Sequence, residues 1–461
     1  MLDNNEQDLE RLAEICLSTA KQIKEYLAAN NHPPMTFDQN GPAFFPPTSP
    51  PDIQMARMDL CTAAKRLYDL AAGPDEVVTF NTYNIVHDLN AFRYVNYYKI
   101  AEAVPLDSTI SYTTLAEKLH LSATQLRQML RQLIQIHVFS EPTPNQVSHT
   151  ASSKLLITHA GVGAFNAFTT LDTVPMAAQQ IEALEHFGHG NVHPNQGGLN
   201  YACKTDLAMY NYYETQPAVR QRFSTLMTYV SSFPAMSNRH TVRGYDWSSL
   251  PDGSTVVDIA GNVGHTMVPI AEVHPTIKFV VQDLPNIVAR ATDPHTNVIP
   301  EPLRDRFTFQ EHDFNTPQPV VGAEIYFLRM IMHDYSDPYC LRILRQIVPA
   351  MKKESRIVIM DQVSPPVGLL PAKIERIMRT QDLQMMLLTN ARERDLDEWK
   401  ALIADVVGGG GDDDAAGKSG AAPDGQTTTT TTTPVPLEIK NVVTPPGSTM
   451  SLIEVGFVGQ P

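Results

Sequence analysis

The chain has 461 residues, a formal net charge of −15 and four cysteines. Its length allows two or three domains around a large core. Its acidity argues against nucleic acid as a general partner, and with no run of about 18 apolar residues no membrane span is expected. Cys16, Cys61, Cys203 and Cys340 form no CxxC pair. They read as reduced thiols, with neither a disulfide framework nor a zinc site, and the polar, acidic start of the chain suits a cytoplasmic protein.

Residues 9–28 set Leu9, Leu12, Ile15, Cys16, Ala20 and Ile23 at helical spacing. Residues 53–72 do the same with Met55, Met58, Leu60, Ala63, Leu67 and Leu70. The stretch 30–52, rich in Pro, Asn and Thr, reads as an arm between them. Two such helices suit dimerisation and equally suit packing on their own domain. Residues 83–103 predict an aromatic-rich helix stopped by Val104-Pro105. Residues 110–119 and 123–136 then form a helix-turn-helix pattern, with Ser122 able to cap its second helix. Residues 138–140 and 146–149 complete it as the strands of a wing. A winged helix often reads DNA, but the second helix carries only Arg127 and Arg131 as cations. A structural or dimerising role is the better reading. Residues 176–187 and 206–233 are helical by pattern. Met209, Tyr210, Tyr213, Phe223, Leu226, Met227 and Tyr229 suit a core, and some suit the wall of a hydrophobic substrate cavity.

From Leu250 the pattern alternates between strand and helix. Residues 255–260 predict a buried strand carrying Asp258, followed by the small-residue turn Gly261-Asn262-Val263-Gly264. Residues 266–273 predict a helix that tolerates Pro269 in its first turn. Residues 278–282 predict a strand ending in Asp283. This is a βαβ unit with an acid about 20 positions after the turn, where it can bind ribose hydroxyls. Taken alone, the unit is equally compatible with a purely structural role. Further strands at 307–310, 323–328 and 356–360 lead into Asp313-Phe314, into Arg329 and His333, and into Asp361. Ser336-Asp337 opens a helix at 338–350, and 374–388 and 396–406 are helices by pattern. Residues 408–433, a Gly, Asp and Thr run, predict a disordered insertion. Residues 437–443 and 451–458 read as two last strands.

In this order, Asp283-Leu284-Pro285, the stretch from Leu328 to Asp337 and Ala391-Arg392-Glu393-Arg394 resemble motifs of the class I S-adenosylmethionine-dependent O-methyltransferases. The group most similar is the caffeic-acid and fungal secondary-metabolite type. The resemblance covers 83–406 and resumes at Leu437. It implies an α/β chain. A Rossmann-like domain at 201–461, with a mostly parallel seven-stranded sheet, would follow a mainly helical winged-helix dimerisation domain at 81–200. Residues 1–80 would be N-terminal helices and an arm, also dimerising. One departure is visible. The family pattern Asp-x-Gly-Gly-Gly-x-Gly stands here as Asp258-Ile259-Ala260-Gly261-Asn262-Val263-Gly264. It keeps open a catalytically silent homologue that binds a ligand or serves as a partner subunit.

The resemblance further implies S-adenosylmethionine as cofactor, with Asp258, Gly261 and Gly264 beside its methionine part. Asp283 would hold the ribose diol, Leu284 would pack on the adenine, and Asp313 and Phe314 would hold and cover it. Arg329 would supply a nearby cation. His333 would be the general base, flanked by Asp361 and Glu393, and Asp382 would touch a phenolic substrate. A homodimer is implied, and no metal.

Overall fold

The computed structural model describes residues 6–408 and 436–459. The insertion expected at 408–433 begins on the last helical residue and otherwise lies outside the described residues. Two compact units are built from interleaved segments. One comprises residues 1–189, 195–232 and 365–388, the other 190–194, 233–364 and 389–461.

The first unit is mainly helical. Helices Leu9–Ala29 and Pro51–Ala72 pack together, and Phe45 of the arm joins Leu27 and Ile53 in a small core. The aromatic stretch forms Phe80–Tyr97 and Ile100–Ala103 in place of one helix, because Lys99 between them adopts φ 52°. Ser111 and Ser122 cap Tyr112–Leu119 and Ala123–Ile134. Strands β1 (Ile110–Ser111), β2 (Phe139–Thr143) and β3 (Gln146–His149) form an antiparallel sheet in the order β1-β3-β2. Leu115, Leu126, Leu130 and Val147 are buried between these helices and this sheet. The fork of Arg131 is taken up by Glu141, at 2.7 and 2.9 Å. The long helical stretch expected within 206–233 is two helices, Met209–Thr215 and Pro217–Ser231. Pro217 starts a new helix and keeps Gln216 out of helical geometry.

The second unit holds strands β4 (Thr255–Ile259), β5 (Lys278–Asp283), β6 (Phe307–Glu311), β7 (Ile325–Arg329), β8 (Arg356–Asp361), β9 (Leu437–Val443) and β10 (Ser451–Phe457). Their order is β6-β5-β4-β7-β8-β10-β9. The five from β6 to β8 are parallel, and β10 runs antiparallel to both of its neighbours. Side chains alternate between two cores. Val257, Ile259, Leu328 and Ile359 face one, while Val256, Phe327, Val358 and Met360 face the other. A parallel sheet covered on both faces needs such continuous apolar runs. The chain goes from β4 to β5 and β6, then returns to β7 on the other side of β4. That switch of direction falls between β4 and β7, and ligands of such sheets bind outside the carboxyl ends of the strands at such a point.

Candidate active site

Every candidate residue but Asp382 lies in the second unit. Asp382, half-buried on helix Ala372–Thr389, belongs to the first. At the end of β4 the chain makes a tight turn. Ala260 and Asn262 both take φ 54°, and Gly264 takes φ 78°. A residue with a Cβ held in the left-handed region costs about 1–2 kcal/mol, so Ala260 carries strain that glycine would not. Asn262 tolerates the region better. Gly261 is needed for space. A Cβ there would come within 2.3 Å of Asp258 Oδ2 and 2.9 Å of Val281.

Asp258 is buried, and its Oδ2 has no hydrogen-bond partner among the described residues. Burial pushes its carboxyl up to about 7, with Asp283 adding to the effect and Arg329 opposing it. Asp283 accepts from the Asn262 N–H through Oδ2 and from the Leu284 N–H through Oδ1, both at 2.8 Å. Burial raises it above the ordinary carboxyl range, and these two donors and Arg290 oppose that. Leu284 beside it is 51% exposed, a bare apolar surface. His312 donates its N–H to the Asp283 carbonyl at 3.0 Å, which brings in the next two residues. Asp313 Oδ1 accepts from Asn315 N and Nδ2, and Phe314 packs edge-on against Tyr335. Arg329 ends β7 and donates through Nη2 to the Met236 carbonyl at 2.8 Å. Burial lowers its hold on its proton, against the pull of Asp258 and Asp361.

The arrangement fits a cofactor with a cationic amino-acid part and an adenosine part. The unpartnered oxygen of Asp258 suits a positive group, a carboxylate suits a ribose diol, and exposed Leu284 suits a flat ring.

His333 lies on the turn Met332–Asp334, just beyond β7. Its Nδ1 is 2.9 Å from Glu393 Oε1, with both side chains buried. Its Nε2 is 3.8 Å from Asp334 Oδ1. Asp361 reaches the same turn through the backbone, its Oδ2 accepting from the Met332 N–H at 3.0 Å. Asp361 Oδ1 has no hydrogen-bond partner among the described residues. Burial disfavours the imidazolium, but Asp334, Asp361 and Glu393 outweigh it and raise His333 from 6.5 to about 10. Burial raises Asp361 to about 7, opposed by His333. Asp334 was missed by the sequence reading; its position directly after His333 was the available signal. Among the described residues no three His, Cys, Asp or Glu are grouped to hold a metal ion, and no helix is long and apolar enough to cross a membrane.

Residues 190–407 match the O-methyltransferase domain family. The O-methyltransferase VdtC of Byssochlamys spectabilis is 33% identical over 451 residues, 97% of each chain. The chain belongs to the O-methyltransferase family. A second relative, the O-methyltransferase pgmB of Aspergillus terreus, is 35% identical over 86% of this chain and 90% of its own. Among solved structures, OxaC in complex with sinefungin and meleagrin has a TM-score of 0.69 at 18% identity, covering 97% of this chain and 98% of its own. At that identity the likeness speaks for the fold. The protein is an S-adenosylmethionine-dependent O-methyltransferase, and its seven-stranded sheet is that of the methyltransferase fold.

Proposed function

We propose that this O-methyltransferase acts on a hydroxyl of a phenolic or similar aromatic small molecule in secondary metabolism, with His333 as general base. The observation that carries the reading is the buried contact between His333 Nδ1 and Glu393. A phenol is a poor nucleophile at neutral pH, so a positioned base must take its proton. With Nδ1–H directed at Glu393, the lone pair of Nε2 is left to accept that proton, and Glu393 stabilises the imidazolium that forms. Asp334, 3.8 Å from Nε2, and Asp361 add further negative charge around the ring. When bound, the cofactor would supply an electrophilic methyl group to the deprotonated oxygen and would itself leave as the neutral thioether.

Asp258, Gly261 and Gly264 hold the methionine part in this reading. Asp283 binds the ribose diol, Leu284 packs on the adenine, and Asp313 and Phe314 hold and cover it. Arg329 balances the charge of Asp258 and Asp361, and Asp382 contacts the acceptor. Residues 1–80 and 81–200 form the dimerising part of a cytoplasmic homodimer, and 201–461 the methyltransferase domain. Support for a small-molecule acceptor comes from the relative OxaC, solved with meleagrin.

The test is incubation with methyl-labelled S-adenosylmethionine and matched panels of phenols and aliphatic alcohols, read by mass spectrometry. Label in phenols alone is the expected outcome. Label in aliphatic alcohols alone overturns the acceptor class. Label in neither, with the cofactor bound, favours the catalytically silent reading.

A further inference from the structure

Arg394 is wholly buried, at 0% exposure. A buried guanidinium is costly unless its donors are satisfied, and all three nitrogens of this one donate. Nη1 donates to the Met332 carbonyl at 3.0 Å and Nη2 to the Tyr335 carbonyl at 2.8 Å. Nε donates to Asp337 Oδ1 at 2.8 Å, and Nη2 also meets Cys340 Sγ at 3.3 Å. The flat face lies over Trp399, 5.3 Å from the ring centre.

The two carbonyls are not arbitrary. Met332 and Tyr335 bracket His333 and Asp334. Met332 is therefore held at its N–H by Asp361 and at its C=O by Arg394, with the Cys340 thiol as a second, weaker donor to that carbonyl. The segment needs pinning, because Met330 just before it holds φ 55°, a left-handed conformation that costs a residue with a Cβ. Arg394 also directly follows Glu393, the partner of the His333 ring. Its own backbone is fixed, its carbonyl accepting from the Ser364 N–H at 2.8 Å. One dipeptide thus grips both the ring and the turn that carries the ring.

We propose that Arg394 is the positioning residue of the reaction, holding the His333 turn in register with Glu393 through the Met332 and Tyr335 carbonyls. The inference rests on the reading of His333 as the base. The task suits arginine in particular. Its planar fork offers five donors in fixed directions, whereas lysine offers three from one point and cannot span acceptors on opposite sides of a turn.

The experiment compares Arg394→Lys, Arg394→Met, Asp337→Asn and His333→Gln in the full chain. Four quantities are read: kcat, KM, the affinity for S-adenosylhomocysteine, and the titration of His333 by NMR of labelled histidine, assigned by its loss in His333→Gln. For both Arg394 variants kcat should fall roughly 100-fold, since a misplacement of about 1 Å can cost that much. Their S-adenosylhomocysteine affinity should stay within about twofold, and the His333 titration should move. Lysine should give no rescue. Asp337→Asn loosens only the outer end of the fork, which Arg392 also shares. It should lower kcat a few-fold and move the titration in the same direction. Should the Arg394 variants fail to fold, Asp337→Asn decides. Unchanged kcat and an unchanged titration in a folded variant overturn the inference. Full turnover by His333→Gln overturns the base reading, and the positioning role for this reaction goes with it. Lost turnover in His333→Gln beside normal Arg394 variants overturns the positioning role alone.

Discussion

Replacing Glu393 by glutamine removes one negative charge at 2.9 Å from His333 Nδ1 and keeps the shape. His333 stands at about 10 against an ordinary 6.5, a difference of about 3.5. Asp334, Asp361 and Glu393 together produce that difference against the opposing effect of burial. Glu393 acts on the ring through both its hydrogen bond and its charge, so losing that charge should lower the value. The amide adds a second effect. Its NH2 can donate to Nδ1 and draw the ring into the tautomer whose Nε2 already carries a proton. A base so disabled forfeits the factor of roughly 100 to 10,000 that general base catalysis supplies. The assay is kcat/KM for methyl transfer across pH 6.5–10.5, which reports the free enzyme. The base works only when neutral, so the rate of the parent enzyme should climb with pH through the raised His333 value. In Glu393→Gln the climb should come at lower pH, to a plateau reduced roughly 100-fold or more. A parent rate already flat above pH 7.5, or a variant with the parent's climb and plateau, refutes the reasoning.

Asp283→Ala should weaken S-adenosylhomocysteine binding roughly tenfold to a hundredfold by calorimetry, since hydrogen bonds to a charged acceptor contribute about 1.5–3 kcal/mol; unchanged affinity would remove the ribose assignment. Gly261→Ala drives a methyl group into Asp258 and Val281, and urea unfolding should show a loss of about 1–3 kcal/mol, where an unaffected midpoint would mean that the turn yields freely. Ala260→Gly relieves a left-handed alanine at φ 54°. It should raise stability by up to about 1 kcal/mol in the same assay, glycine's greater unfolded-state freedom offsetting part of the gain. A loss of stability would show that the turn is not strained.

The strands of the second unit were legible because a sheet covered on both faces demands uninterrupted apolar runs, and Val256-Val257 and Ile357-Val358-Ile359-Met360 are such runs. The acids and the cation of the candidate site were legible as the polar residues at which those runs stop: Asp283, Arg329 and Asp361 are the last residues of their strands. The pairing of His333 with Glu393, 60 positions later, has no local signature and came from the resemblance alone. Glu393 bonds to the ring, whereas Asp361 bonds to the backbone N–H of Met332, and side-chain type cannot reveal such a choice. Two helix breaks depended on single backbone angles, at Lys99 and before Pro217. The return of 365–388 to the first unit was equally hidden. Its helix bears Leu387 and Leu388 in that unit's core beside Leu199 and Leu226, a contact between segments far apart in sequence.

The central claim is that His333 takes the acceptor's proton and leaves the cofactor site intact. Single-turnover methyl transfer by His333→Gln, with S-adenosylhomocysteine affinity measured on the same sample, tests it most directly. The account predicts a rate lowered at least about 100-fold with affinity preserved. A rate near that of the parent enzyme would contradict it, and so would a cofactor affinity that collapsed together with the rate.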